Sequence, residues 1–186
     1  MGCTHTKEQT IIPTENNEFL KTHFHDSEIF EWCQIFVEKS RGKSNTSSTN
    51  LIACINQELC RTYSHQLHPN GDVTRLTNAF FSAYDLNNDG TIDFSEFLHA
   101  VSIIRRGDCK EKLALLFLLF DTNHDGSIDR LKLINIMEAL YQTKGIDYRD
   151  SYNILLRRVD LIIDRLENGQ NDGKISREQF IDNCLL

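Results

Sequence analysis

Long hydrophobic runs are missing from this chain. The longest, Leu113 to Phe120, falls far short of the roughly 20 apolar residues that a membrane-crossing helix needs, so no transmembrane segment is expected. Basic charge is also scarce: the net charge is −7, which disfavours a nucleic-acid partner and favours a divalent cation. The six cysteines, Cys3, Cys33, Cys54, Cys60, Cys109 and Cys184, include no C-x-x-C pair and follow no secretory signal. Reduced thiols in the cytosol are therefore expected, and Asn45-Thr46-Ser47 is a glycosylation sequon without an opportunity. Catalytic signatures are absent too: there is no G-x-S-x-G and no H-E-x-x-H. Gly42-Lys43-Ser44 looks like the tail of a phosphate-binding loop, but Val37 stands where the loop needs glycine and no strand precedes it. Histidine and cysteine are scattered, and an enzyme is not expected. What remains is a globular chain, 40% hydrophobic, with enough apolar material for a packed core in one domain or two small ones.

Against that background one stretch stands out, Asp85-Leu86-Asn87-Asn88-Asp89-Gly90-Thr91-Ile92-Asp93-Phe94-Ser95-Glu96. Asp85, Asn87 and Asp89 offer side-chain oxygens at positions one, three and five, Thr91 offers its backbone carbonyl at seven, Asp93 can hold a bridging water, and Glu96 closes the shell with two oxygens. Gly90 stands where the chain must turn with positive φ, and Ile92 is the apolar residue that would bridge to a neighbouring loop. The full match to D-x-[DN]-x-[DN]-G-x₅-E marks an EF-hand loop for Ca2+. An acidic solvated turn would have to meet all these constraints by accident between two helix-periodic segments.

The same unit recurs with damage. Ile29, Trp32, Cys33, Phe36 and Val37 make an incoming helical stripe, and Leu51, Ile52, Ile55 and Leu59 restore helical periodicity after a Ser/Thr/Asn-rich loop with no carboxylate at ligand spacing. A third loop runs from Asp121 to Lys132. Asp121, Asn123, Asp125, Ser127 and Asp129 occupy ligand positions, but Lys132 replaces the closing acid, removing two oxygens and adding a positive charge. Weak binding or none is expected there, and His124 reads as a bystander. In the fourth loop Asn168, Gln170, Asp172, Lys174, Ser176 and Gln179 fill the ligand positions, with one carboxylate among them, so no metal is expected. Arg105-Arg106-Gly107-Asp108 breaks the helical pattern at mid-chain. The expected fold is all-α: four EF-hand units in two pairs, with short β-bridges between paired loops. The expected organisation is an arm over residues 1–20, a pair over 21–106 and a pair over 107–186.

Met1-Gly2-Cys3-Thr4-His5-Thr6 fits the N-myristoylation pattern, with Gly2 the acceptor and Cys3 a candidate for palmitoylation. One myristoyl chain binds membranes only reversibly. No polybasic patch supplements it here, so a second acyl chain on Cys3 would be needed to persist on the cytosolic face.

Four hands with a dead first loop, an acylation signal, Trp32 in the first helix and the Arg106-Gly107 junction resemble the neuronal calcium sensor family, the frequenin, recoverin and visinin group. Gly71-Asp72, Glu111-Lys112-Leu113 and Ala139-Leu140-Tyr141-Gln142 also look like that family's segments, over a match from about Trp32 to Phe180. The resemblance implies a membrane-associated calcium regulator that takes a helical segment of a receptor, channel, kinase or cyclase into an apolar groove. Trp32, Phe36, Phe80, Phe81 and Tyr84 are the groove candidates, equally suited to a core. Family members normally bind calcium at the third hand, which Lys132 argues against here, so the implied response is that of a single site. Two other readings share the motif: a constitutive regulatory subunit of calcineurin B type, and a calcium buffer, for which one good loop offers poor capacity.

Overall fold

The computed structural model describes residues 24–40, 54–167 and 172–185. Among them the chain forms helix α1 (Asp26–Ser40), strand β1 (Ile55–Asn56), helices α2 (Gln57–Leu67) and α3 (Thr74–Tyr84), and strand β2 (Thr91–Ile92). Helices α4 (Phe94–Arg106) and α5 (Cys109–Phe120), strand β3 (Ser127–Asp129), helices α6 (Arg130–Thr143) and α7 (Tyr152–Leu166), strand β4 (Lys174–Ser176) and helix α8 (Arg177–Cys184) complete the order. A 3₁₀ turn, Arg149–Ser151, leads into α7. The architecture is all-α, as its periodicity predicts, and the strands serve only to tie loops together.

Each strand pair is antiparallel and centred on isoleucine: Ile55 faces Ile92, and Ile128 faces Ile175. Ile92 is 3% exposed, and Ile128 and Ile175 are fully buried. One side chain from each loop thus meets its counterpart at the base of the pair, and the strand pairing ties the two loops together. Here the sequence reading needs a correction. Ile55 fits a helical stripe, yet it lies in a strand, and α2 begins only at Gln57, with the Asn56 side chain accepting from Leu59 N–H as N-cap. Pairing with Ile92 gives Ile55, which stays half-buried, a backbone partner in the neighbouring loop, whereas an extra half-turn of helix would add little. Leu51 and Ile52 lie outside the described residues.

Helix ends follow local chemistry. α4 starts at a capping box in which the Asp93 side chain accepts from Glu96 N–H and the Glu96 side chain accepts from Asp93 N–H; α5 starts with the same arrangement between Asp108 and Glu111. The junction at Gly107 is closely packed, since a Cβ there would lie 2.6 Å from the Ile103 carbonyl oxygen.

The C-terminal core gathers Phe117, Ile128, Leu133, Leu155, Val159, Ile175 and Phe180. Around Phe24 and Leu98 pack Ile29, Trp32, Phe94 and Val101, and Phe36 lies against Phe94 and Phe97 with ring centroids 5.5 and 5.1 Å away. Arg105 stacks on Trp32, and Arg106 stacks on Phe24 while pairing with Glu28, so the end of α4 holds α1. The two halves meet through α3, which packs on α5 and α6. Arg75 of α3 donates to Glu138 and Asn135 of α6, both at 2.8 Å. Gly71 abuts the end of α6: a Cβ at that position would lie 1.9 Å from the Thr143 carbonyl oxygen.

Candidate metal centre

Loop two hangs between α3 and α4 and is shaped by its own backbone amides. Asp85 Oδ1 accepts from Asp89 N–H at 3.1 Å, and Oδ2 accepts from Gly90 N–H at 3.0 Å. Asp89 Oδ1 accepts from both the N–H and the hydroxyl of Thr91 at 2.8 Å, and that hydroxyl, with the backbone, holds the Asp89 carboxyl below its usual range. Asn88 and Gly90 take left-handed backbone, with φ of 56° and 85°. Asparagine tolerates that region and glycine enters it without cost, which explains their places in the turn.

Glu96 reaches back from the first turn of α4 across the loop. Its Oε1 accepts from Leu86 N–H at 2.9 Å and Asn87 N–H at 3.2 Å, and Oε2 accepts from Asp93 N–H at 3.0 Å. Asp85 is 6% exposed and Glu96 7%, and among the described residues neither has a cation beside it. Burial pushes the Glu96 carboxyl up, and the backbone N–H bonds offset this only in part.

Two buried carboxylates that face backbone N–H groups but, among the described residues, no counter-charge suit a divalent ion bound by hard oxygens. Among the described residues no three Asp, Glu, His or Cys side chains are already gathered at metal-holding distance. In loop two the carboxylates instead face backbone amides, and an ion would have to draw them inward. Two donors of an EF-hand loop are in any case an amide oxygen and a backbone carbonyl, supplied here by Asn87 and Thr91. The donor set fits calcium.

Loop three repeats the bonds of the first and fifth positions. Asp121 Oδ1 accepts from Asp125 N–H at 3.2 Å and Oδ2 from Gly126 N–H at 2.8 Å; Asp125 Oδ1 accepts from Ser127 N–H at 3.0 Å and its hydroxyl at 2.9 Å. His124 and Gly126 take the left-handed places, with φ of 55° and 79°. The difference lies at position twelve. Lys132 turns its ammonium into the loop, with Nζ donating to Asp121 Oδ1 and Asp125 Oδ1, each at 2.7 Å, and to the Ser127 carbonyl oxygen at 2.8 Å. Asp129 caps α6 by accepting from Lys132 N–H, as Asp93 caps α4 by accepting from Glu96 N–H. His124 is more than a bystander: its Nε2 lies 2.9 Å from Ser82 Oγ on α3, across the joint between the halves.

In loop four Asp172 Oδ1 accepts from Lys174 N–H, and Gln179 answers Ser176 in a capping box; Asn168 and Gln170 lie outside the described residues. Gly2 and Cys3 also lie outside them. Of the groove candidates, Phe36 and Phe81 are buried, at 0% and 6% exposed, while Trp32, Phe80 and Tyr84 are half-buried. Trp32 meets Phe97 edge-on, and Phe80 tilts against Tyr84.

The family model for an EF-hand domain pair matches residues 73–138, which span loops two and three. Neuronal calcium sensor 1 of Lymnaea stagnalis is 35% identical over 176 residues, covering 92% of this chain and 86% of that protein. The chain belongs to the neuronal calcium sensor family. Neuronal calcium sensor 1 of Aplysia californica is similar as well, 33% identical over 181 residues, covering 95% of this chain and 88% of that one. Calcium is the ion of this EF-hand fold, and the family to which the chain belongs is one of sensors, not enzymes. Among the described residues no helix is long and apolar enough to cross a membrane.

What the sequence did not disclose in this family member is where Lys132 points. The signal was its position, since a long cationic side chain at the twelfth place starts opposite the loop's carboxylates. Ser82 gave no comparable signal.

Proposed function

We propose that this protein is a calcium-dependent regulator with one responsive hand, loop two, in which Asp85, Asn87, Asp89, Thr91, Asp93 and Glu96 hold the ion. The observation that carries this reading is the contrast between the loops: Asp85 and Glu96 are buried with no cation beside them among the described residues, whereas their counterparts in loop three are Asp121 and a lysine. Calcium would draw Glu96 off the amides of Leu86 and Asn87. Because Glu96 sits in the first turn of α4, that movement turns α4 against α3 and opens the aromatic packing of Trp32, Phe36 and Phe97. Such apolar surface suits a helical segment of a target protein. The organisation behind this is a pair of hands over 21–106 and a second pair over 107–186, after an arm over 1–20 acylated at Gly2 and Cys3.

A constitutive subunit of calcineurin B type is the second reading. The lysine-filled third loop favours it, because half of the molecule would then hold its shape without calcium. Recovery from native extract in a fixed stoichiometric complex at low calcium would support it.

Calorimetric titration tests the first reading. Wild type should take up one tight calcium per chain, within about 10⁻⁷ to 10⁻⁵ M, and Glu96→Gln should abolish it. Two tight sites, or one that survives Glu96→Gln, would overturn the assignment.

A further inference from the structure

We infer that Lys132 is the resident cation of the third hand: its ammonium stands in for a calcium ion, keeping the loop in its loaded shape at every calcium level. The C-terminal half then serves as a calcium-independent support for the responsive hand. An ammonium has three donors, and here each has one acceptor, Asp121 Oδ1, Asp125 Oδ1 and the Ser127 carbonyl oxygen, at 2.7, 2.7 and 2.8 Å. Those acceptors belong to loop positions one, five and seven, three of the places that face an EF-hand ion. Calcium–oxygen distances of about 2.3–2.6 Å are only slightly shorter than these bonds, so the loop closes on nitrogen nearly as it would on the metal.

Displacement by calcium is unfavourable on two counts. Lys132 is 8% exposed and Asp121 2%, so an ion entering the loop would strand a buried ammonium. It would also find no bidentate acid at position twelve. The occupied loop is tied to the responsive hand as well. Left-handed His124 reaches Ser82 on α3, the helix that leads into loop two, while Ile128 locks loop three to loop four through Ile175.

The inference does not depend on calcium binding at loop two, and the test separates the two. The Gly126 amide donates to Asp121 Oδ2 at 2.8 Å, and so short a bond to a carboxylate moves its proton resonance downfield. In full-length protein we expect Gly126 to be downfield in chelator and unmoved by excess calcium, in wild type and in E96Q alike. K132M should move Gly126 upfield, toward the calcium-free position of Gly90, whose bond to Asp85 Oδ2 is longer, at 3.0 Å. K132E should regain the wild-type position only with calcium, and should gain one calcium site by calorimetry. A Gly126 shift on adding calcium to E96Q, or a Gly126 as far downfield in K132M as in wild type, would overturn the inference. Should K132M fail to fold, K132E decides: restoration of the Gly126 position by calcium supports the resident lysine, and identical spectra with and without calcium refute it.

Discussion

Glu96 and Lys132 hold the same place in their loops and solve the same electrostatic problem in opposite ways. Glu96 adds to the negative charge around Asp85, where the proposed ion from solution would bind; Lys132 supplies the balance itself. Their ionisation follows. Burial works against the Lys132 charge, but the hydrogen bonds to Asp121 and Asp125 outweigh it and hold the ammonium above the ordinary lysine range. The same bond, with help from Ser127 and Asn123, holds Asp125 well below the ordinary aspartate range. A raised lysine contributes stability that is present below its unfolded pKa and lost as pH rises through the folded one; a lowered aspartate contributes stability lost only as pH falls through its lowered value. Loop three therefore keeps its charge pattern across the whole neutral range. Glu96 behaves differently. Its raised folded pKa means that the calcium-free protein binds a proton there at a pH where the unfolded chain does not, so protons compete with calcium early on the acid side. Calcium affinity should begin to fall at a pH above the ordinary glutamate midpoint of about 4.3, and calorimetry at successive pH values checks this. A calcium affinity constant down to that midpoint would contradict it.

At the scale of the element, the turn between α2 and α3 is fitted to the C-terminal end of α6. Asp72 N–H donates to the Gln142 carbonyl oxygen at 3.0 Å, and the Thr143 hydroxyl, which bonds Ala139 O at 2.8 Å, lies 3.4 Å from Asp72 O. Gly71 makes this approach possible, since any Cβ would overlap the Thr143 carbonyl. Gly71→Ala should therefore cost about 1–3 kcal/mol, as overpacking of a tight contact does. The loss should appear as a lower Tm, with faster amide exchange at Asp72, while calcium stoichiometry is unchanged. A variant as stable as wild type would mean that the joint yields without loss.

On the scale of the whole molecule, the proposed arrangement couples one hand that answers calcium to a half whose third loop is closed by Lys132. A single site biases a conformational equilibrium only by its differential affinity for the two states, so the response should be shallow compared with that of a multi-site sensor. The proposed membrane attachment through Gly2 should accordingly change only modestly with calcium. Gly2→Ala should stay in the supernatant at all calcium levels, and Cys3→Ser should loosen attachment without abolishing it, because one myristoyl chain alone binds reversibly. Fractionation of the acylated protein with and without calcium measures this. A complete transfer to membranes on adding calcium would show a stronger switch than one site can drive.

The sequence by itself determined the repeat and its chemistry. Loop spacing is local, so oxygen ligands at fixed offsets, a glycine at the sixth place and an isoleucine at the eighth were legible one after another. The helices followed from apolar periodicity for the same reason. Only the tertiary structure decided what depends on partners distant in the chain. Ile55 has helical spacing but pairs as a strand with Ile92, because the backbone pairing between the two loops outweighs local propensity. Phe36 and Phe81 read equally as groove or core until packing buried them. Most of all, a lysine at a ligand position reads as the loss of a site, whereas in three dimensions its flexible four-carbon stem brings the ammonium back among the oxygens it had been expected to leave empty.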